Sequence, residues 1–345
     1  MKKSILGLSL VLSSIFSMNA QDGFENILLA EVTDAQKLLQ AYFAPGMEGF
    51  INSMNNGWAH TAKVHKPFGF DLTIGVSGSM IPSERETFNI AALGLVSVTS
   101  TSTTAPTFGG ADIKTPMTVN TTINGQNVTA NFTTPGGVKN DLPMNAVPAP
   151  VVQFTLGLPW KMDAMVRMVP KINIGEDDGS VNMLGLGLKK EITSWFGPME
   201  KTPLHVALLA AYTTMDVDYA VADSNDPNFT VQNAATSFDL RAFTMQAIAS
   251  LNFPIINLYG GFGYNSGTAS YGMSGTFTGQ YDTGLPAPND TVTQALAIPP
   301  SLDFSSNGFR TTVGARLSLG FFKIFADYTV QEFNSLTAGV AFSFR

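Results

Sequence analysis

The residues that could do chemistry in this chain are mostly basic side chains on the polar face of segments that alternate between apolar and polar residues. The basic members are Lys161, Arg167, Lys171, Arg310, Arg316 and Lys323, and the acidic members are Asp71, Asp163 and Asp327. Two interpretations stay open. The charges pair with one another and stiffen a wall, as charges at membrane depth usually do, or they form a basic cavity for the anionic head of an amphiphile.

Signals of catalysis or metal binding are poor. The chain has three histidines, His60, His65 and His205, at spacings that match no metal motif, and it has no nucleophile elbow. The acidic run 176–178 has carboxylate oxygens for calcium but lacks the ordered spacing of a calcium loop, so a solvated loop is the better interpretation. We therefore expect no enzymatic centre, no metal and no cofactor.

The elements that position these charges are clearest at the C-terminal end, where three segments of about ten residues alternate strictly. In the first segment, Phe309, Val313 and Leu317 share one face, while Arg310 and Arg316 share the other. The alternation alone would also suit a soluble sandwich with its apolar face inward. The small polar residues of the opposite face favour a membrane wall instead. An arginine facing lipid costs roughly 2–4 kcal/mol at the midplane, so Arg310 and Arg316 must face an inner cavity.

The same pattern extends back to Phe68 and predicts eleven strands. The first eight are expected at 68–77, 87–98, 150–158, 161–171, 183–193, 203–217, 237–252 and 255–266. Long connections alternate with shorter ones, among them 81–86, which places the C-terminus on the periplasmic side and the first strand's start, near Pro67, on the outer side. Residues 268–281 are interpreted as part of an outward hairpin. In 237–252, Asp239 and Arg241 share a face with Phe243, so this strand either bulges or extends past the bilayer.

This pattern predicts an all-β fold: a closed antiparallel up-and-down transmembrane β-barrel of about 12 strands, within a range of 10–14. An even number is normal, so 58–64 either forms a twelfth strand or threads the barrel. We expect the barrel to occupy 67–345, preceded by an N-terminal helical plug at 21–66 and a signal peptide at 1–20. The signal peptide is predicted from Lys2-Lys3, the apolar stretch 5–16 and a small-residue cleavage site ending at Ala20.

The plug sequence predicts two short amphipathic helices, separated at Pro45-Gly46 and ending near Asn56-Gly57. We expect them inside the barrel, with the following residues climbing the wall. Their apolar positions are Leu38, Tyr42, Phe50 and Met54. These side chains either bind the tail of an amphiphile or pack the plug against the wall.

Composition supports this picture. Charged residues make up 13% of the chain, about half the share of a soluble protein, which suits a wall facing lipid. The net charge of −7 argues against nucleic-acid binding, and with no cysteine the chain has no disulfide framework.

The chain resembles an uncharacterised family of Gram-negative outer-membrane β-barrels and, more distantly, FadL-type hydrophobic-compound channels. The residues that carry the closer resemblance are Asn56-Gly57-Trp58, Thr61-Ala62-Lys63, Phe68-Gly69-Phe70-Asp71, Phe309-Arg310, 319–322, 325–329, Ala338-Gly339 and 342–345. The FadL-type likeness implies an N-terminal plug followed by a barrel that takes fatty acids or aromatic hydrocarbons across the outer membrane.

The sequence therefore predicts an outer-membrane protein with lipid as its surroundings and a passive channel for small hydrophobic or amphipathic molecules. The candidate ligand-binding residues are Arg167, Arg310, Arg316, Lys323, Leu38, Tyr42, Phe50 and Met54. The alternative is a structural or adhesive barrel that acts through its long loops. Protein partners are not indicated.

Overall fold

The computed structural model describes residues 24–174, 179–226 and 229–344. The predicted signal peptide and the acidic run 176–178 lie outside these ranges. One α-helix, α1, spans Val32–Met54, and short 3-10 helices span Glu25–Leu29, Ser83–Arg85, Ala91–Leu93, Pro143–Asn145 and Thr193–Lys201. The strands are β1 Phe70–Met80, β2 Thr87–Asn89, β3 Val98–Thr99, β4 Thr104–Pro106, β5 Pro116–Ile123, β6 Gln126–Thr133, β7 Ala146–Leu158, β8 Met162–Ile174, β9 Gly179–Glu191, β10 Leu204–Val221, β11 Ser224–Asp226, β12 Phe229–Asn252, β13 Ile256–Asp282, β14 Thr291–Ala295, β15 Leu302–Leu319, β16 Phe322–Val330 and β17 Ser335–Phe344.

Ten of these strands form a closed antiparallel ring within the described chain. The order around it is β1, β7, β8, β9, β10, β12, β13, β15, β16 and β17, and β17 pairs back onto β1. Closure leaves no free edge in the ring, which satisfies the backbone hydrogen bonds of every strand. The predicted fold class is confirmed. The strand number is ten rather than about twelve, at the lower limit of the predicted range.

The miscount has one main source. Residues 87–98 were predicted as a barrel strand, but they contribute only β2, a 3-10 helix and the start of β3, all within the connection from β1 to β7. The stretch 81–86 therefore begins an outer connection and is not an inner turn. For the same reason β1 starts at the end of the barrel that carries the short turns, and the prediction that residues near Pro67 lie on the outer side is wrong. Residues 58–64 form no strand.

The apolar faces point outward, as predicted. Leu317 is 42% exposed and Val313 68%, whereas Arg310 is only 2% exposed. Strands β12 and β13 are 24 and 27 residues long, more than twice the length that crosses a bilayer. Because β12 pairs without a register shift from Ala235 to Asn252, Asp239 and Arg241 lie on a strand that extends past the apolar band. Residues 268–281 continue β13 outward, and the end of this strand, 278–282, pairs with β14 in a hairpin, as predicted.

The predicted break at Pro45-Gly46 is wrong, because α1 runs through it. The glycines of this stretch permit close contacts. A Cβ on Gly46 would lie 2.8 Å from Phe108 Cδ1, and one on Gly49 would lie 2.6 Å from Val147 Cγ2. The helix is enclosed by the outer half of the barrel and the connection 81–145, and this packing outweighs the hydrogen bond lost at Pro45. Within the described residues, α1 and the shorter helices do not reach the length and apolarity of a membrane-spanning helix.

Candidate functional site

The lumen level with the exposed apolar band is filled by residues 55–69, which we call the lumen segment. It continues from the end of α1 to the start of β1, from the outer half of the barrel to the end with the short turns. Trp58 is 2% exposed and Ala62 is fully buried, so the segment runs through the interior and does not climb the wall. A stretch of backbone, and not a layer of wall side chains, therefore closes this part of the barrel.

Two of the predicted site arginines bind the C-terminal end of α1. Arg167 Nη1 donates to Met54 O at 3.1 Å, and Arg310 Nη1 donates to Asn55 O at 2.7 Å. The last carbonyls of a helix have no partner within the helix, and its C-terminus carries partial negative charge. Both guanidinium groups therefore act as caps. At these two contacts the guanidinium groups bind backbone carbonyls and do not pair with carboxylates.

The Trp58 side chain fixes the next part of the lumen segment. Arg167 Cζ lies 4.1 Å from the centroid of its ring, within the range of a cation–π contact. Inward-facing glycines of β9 make room for the indole: a Cβ on Gly187 would lie 2.8 Å from Trp58 Cζ3, and one on Gly185 would lie 3.0 Å from Cη2. Glycines two apart on the inward face of a strand are the sequence signal that sequence analysis missed.

A charged cluster holds the end of the lumen segment that lies nearer the short turns. His65 lies between two carboxylates, with Nδ1 3.3 Å from Asp163 Oδ2 and Nε2 3.2 Å from Asp71 Oδ2. Lys189 Nζ lies 3.0 Å from Asp163 Oδ2 and donates to Thr61 O at 3.2 Å. Asp71, Asp163 and Lys189 come from β1, β8 and β9, so the cluster ties the segment to three strands of the wall.

The same cluster has the connectivity of a hydrolase triad but not its chemistry. Asp163 contacts His65 Nδ1, and Ser343 Oγ lies 3.4 Å from His65 Nε2. A triad histidine must be neutral at Nε2 to accept the serine proton. Here Asp71 Oδ2 lies closer to Nε2 than Ser343 does, and the two flanking carboxylates favour the charged form of the ring. The geometry supports a structural clamp.

Arg316 and Lys323 lie closer than the arginine caps to the end of the barrel with the short turns. Arg316 Nη1 lies 2.9 Å from His60 Nδ1, and the His60 ring stacks on Phe325 with centroids 5.0 Å apart. Lys323 is half-buried on the inward face of β16. Arg316 thus also binds the lumen segment.

The polar contacts of the lumen segment leave buried atoms unsatisfied. Within the described residues, the atoms without a hydrogen-bond partner include both polar side-chain atoms of Asn56, the Nε atoms of Arg167, Arg310 and Arg316, Thr213 Oγ1 and Thr244 Oγ1. Buried polar groups without partners are costly, typically about 1–3 kcal/mol each. The lumen segment is therefore surrounded by polar groups that are only partly paired among the described residues, beside a small apolar cluster around Trp58 and Ala62.

The outer half of the barrel has the opposite interior. Leu38, Tyr42 and Met54 are at most 2% exposed and lie in one continuous apolar core, against which the half-buried Phe50 packs. Tyr42 Oη donates to Gly136 O at 2.8 Å, and burial raises the pKa of this hydroxyl. These four side chains pack the helix in place. Their predicted ligand-binding role, like that of the arginines and Lys323, stays a prediction.

Two residues predicted to face inward do not. Lys161 is exposed in the turn before β8, where its φ is 55°. Lys171 is exposed because a register shift between Val169 and Ile172 reverses the alternation of faces, and its Nζ lies 3.9 Å from Asp218 Oδ2. Within the described ranges, no group of three or more His, Asp or Glu side chains is arranged to hold a metal ion.

Comparisons with known proteins identify a family but no activity. The model of a "Family of unknown function (DUF6588)" matches residues 1–344. No curated protein matches the sequence. Three solved structures are similar in part: the attachment invasion locus protein Ail of Yersinia pestis in complex with a heparin analogue (9% identity, 81% of this chain and 100% of that chain, TM-score 0.28), the translocator domain of autotransporter NalP from Neisseria meningitidis (10%, 81% and 90%, 0.32), and the outer membrane protease OmpT from Escherichia coli (10%, 82% and 100%, 0.30). These TM-scores are too low to support an argument about function.

Proposed function

The chain belongs to the DUF6588 family, and we propose that it is an outer-membrane β-barrel of a Gram-negative bacterium that works as a gated passive channel for small hydrophobic or amphipathic molecules. In this proposal the lumen segment is the gate. A likeness to FadL-type channels agrees with this function but is not evidence for it.

The membrane location is supported by the exposed band of apolar side chains around the ring. Aromatic side chains mark both edges of this band: Tyr212, Phe243, Tyr264, Phe309 and Tyr328 on the outer side, and Trp160, Trp195, Phe253, Phe321 and Phe344 on the side of the short turns. Two aromatic girdles around an apolar band are typical of outer-membrane barrels.

The observation that carries the gating proposal is the polar attachment of the lumen segment. If the closure served only to stabilise the barrel, wall side chains packed across its axis would give the most stability. This barrel is closed by a single segment held by arginine caps, a cation–π contact and ion pairs, each of which water can replace, and by a small apolar cluster around Trp58 and Ala62. The apolar interior of the outer half supports a hydrophobic cargo, since Met and Phe side chains adapt to irregular apolar shapes.

Disulfide locks test the gate, and the absence of native cysteine makes the experiment clean. Thr61 Oγ1 and Ser250 Oγ are 3.2 Å apart, so Thr61→Cys with Ser250→Cys joins the lumen segment to β12. Ser79 Oγ and Ser335 Oγ are 2.7 Å apart on neighbouring strands, so Ser79→Cys with Ser335→Cys is a matched control within the wall.

We expect the oxidised gate lock to stop uptake of a neutral fluorescent amphiphile by Gram-negative cells, and reduction to restore it. The control lock should leave uptake unchanged. Equal uptake with the gate lock oxidised and reduced would show that the lumen segment does not gate the barrel.

The structural or adhesive alternative has less support. The connection 81–145 lies folded over α1, with Phe108 N donating to Tyr42 O at 2.9 Å and Asp34 Oδ2 accepting from Ser97 N at 2.7 Å. Most of it therefore closes the outer end of the barrel. Loss of surface attachment on deletion of the gene, with unchanged uptake, would favour this alternative over the channel.

A further inference from the structure

The outer end of the barrel holds a cavity of about 350 Å³, above the apolar interior and far from the lumen segment. It lies between the chain just before α1, the end of the β5 strand and the residues around β14. Its volume is in the range of small-molecule sites, about 300–1,000 Å³.

The floor of the cavity is apolar and fixed in place. Leu28 is 1% exposed, Leu29 4% and Tyr281 4%, and all three belong to the apolar core of the outer half. Tyr281 Oη donates to Leu29 O at 2.8 Å. Leu29 packs where a Cβ on Gly279 would lie only 2.5 Å from its Cδ2. An alkyl chain lying in the cavity would therefore rest against a preformed and closed apolar floor.

The rim is polar and carries no cation. Glu31 is the charged side chain among the lining residues, and its Oε1 accepts a hydrogen bond from Thr121 Oγ1 at 2.9 Å. Thr122 and Gln294 add neutral hydrogen-bonding groups. A carboxylate head placed here would meet a like charge and find no basic partner. The basic residues Arg167, Arg310 and Arg316 are buried at a different level, where they bind the lumen segment.

We infer that this cavity binds an uncharged amphiphile, with its alkyl chain on the leucine floor and a hydroxyl or amide head at the Thr–Gln–Glu rim. The inference rests on the proposed function and names its substrate class. It departs from the fatty-acid-like anion that the sequence suggested, because the charge at the rim has the wrong sign for one.

Three probes with the same ten-carbon chain test the inference: decanol, decanoate and decylamine, titrated calorimetrically against the full chain in lipid nanodiscs. We expect saturable decanol binding and about tenfold weaker decanoate binding. Glu31→Gln should reduce the difference between these two probes. Equal or tighter binding of decanoate, or tighter binding of decylamine than of decanol, would overturn the inference.

Two tryptophan variants locate the binding. Thr121→Trp fills the cavity from its rim, where Thr121 contacts Glu31, and should abolish saturable decanol binding. Thr129→Trp adds the same bulk to an exposed position of the neighbouring strand and should leave binding intact. Binding that survives Thr121→Trp would show that this cavity is not the site. Saturable binding together with uptake that the gate lock does not affect would refute the channel but keep the site, so the two failures are distinguishable.

Discussion

The two halves of the barrel have opposite interiors, and the change occurs within single strands. On β12, Phe243 and Leu251 point outward while Thr244 and Ser250 point inward; nearer the outer end, Asp239 points outward while Leu240 points inward. Strand β15 repeats this, with Arg310 inward beside the apolar band and Phe304 inward above it. The two faces exchange polarity at the outer aromatic girdle.

The medium outside the wall explains the exchange. Where water lies outside, apolar side chains gain free energy by turning inward, so the outer half acquires an apolar core around α1. In the proposed membrane location lipid lies outside the inner half, so an apolar side chain gains little free energy by turning inward and polar groups can occupy the lumen. The outer half is thus stabilised by apolar burial, and the inner half by hydrogen bonds and ion pairs with only a small apolar cluster around Trp58. This difference is why we place the gate in the inner half.

The largest expected effect comes from changing the polarity of inward-facing side chains on β12, one in each half of the barrel. Leu240 and Thr244 both point inward and are at most 1% exposed, but they lie on opposite sides of the girdle. Leu240→Asn should lower the free energy of unfolding by about 3–5 kcal/mol, because it removes apolar burial and buries an amide.

Thr244→Val is the counterpart. It should change the free energy by less than about 1 kcal/mol or stabilise the protein, because Thr244 Oγ1 has no partner within the described chain. Urea unfolding in lipid vesicles measures both variants. A similar large loss from each would remove the distinction between the two interiors.

On the outward faces, a polar substitution should be costly in the inner half and tolerated in the outer half, the reverse of its effect on the inward faces. Ala247 and Ser237 both point outward on β12, the first within the apolar band and the second above the girdle. Ala247→Arg should cost about 2–4 kcal/mol of folding into lipid vesicles, because it places a charge against acyl chains. Ser237→Arg should change little. If both variants fold equally well, the band does not lie in the bilayer.

The arginine caps should affect the lumen segment without disturbing the outer core. Arg310→Met leaves Asn55 O without its charged donor, at an expected cost of about 1.5–3 kcal/mol. Hydrogen exchange should rise in residues 55–66 and stay unchanged in residues 34–50. A matching rise in both ranges would mean that the halves unfold as one unit, which contradicts a separately movable gate.

The sequence predicts the wall better than its contents. Alternation fixed the orientation of Arg310 and Arg316 because a strand has only two faces and one of them was apolar. The shared face of Asp239, Arg241 and Phe243 indicated either a bulge or an extension past the bilayer, and the pairing of β12 without a register shift at these residues favours the extension. The predicted strand number was wrong because of residues 87–98, whose apolar side chains belong to the connection that covers α1 and not to the ring.

The site was less predictable, because it depends on contacts between distant parts of the chain. No local pattern indicates that Arg167 and Arg310 would meet the end of α1, since more than a hundred residues separate Met54 from Arg167. At Pro45-Gly46 the local signal was misleading. Glycine reads as a helix breaker, but here it allows close packing against Phe108. The slot for Trp58 left a signal in Gly185 and Gly187, but strand glycines are ambiguous without the partner side chain.

The smallest expected effect tests the height on the outer wall above which the barrel surface lies in water. Asp216 and Asp239 face each other directly on β10 and β12, on the outward side above the girdle. Like charges directly opposite destabilise a sheet by about 0.2–1 kcal/mol, so Asp239→Asn should stabilise the barrel by that amount. Water outside makes the repulsion sensitive to salt, and the gain should vanish near 1 M salt, where the Debye length is about 3 Å.

Asp303→Asn is the matched control for this variant. Asp303 Oδ1 accepts a hydrogen bond from Ser270 Oγ at 2.6 Å across β15 and β13, so neutralising it should stabilise nothing. Unfolding in vesicles at low and high salt measures both variants. If Asp239→Asn stabilised the protein by several kcal/mol at every salt concentration, the carboxylate would have to lie against lipid. The polarity exchange would then not coincide with the membrane surface, and the outer core would need an explanation other than water outside the wall.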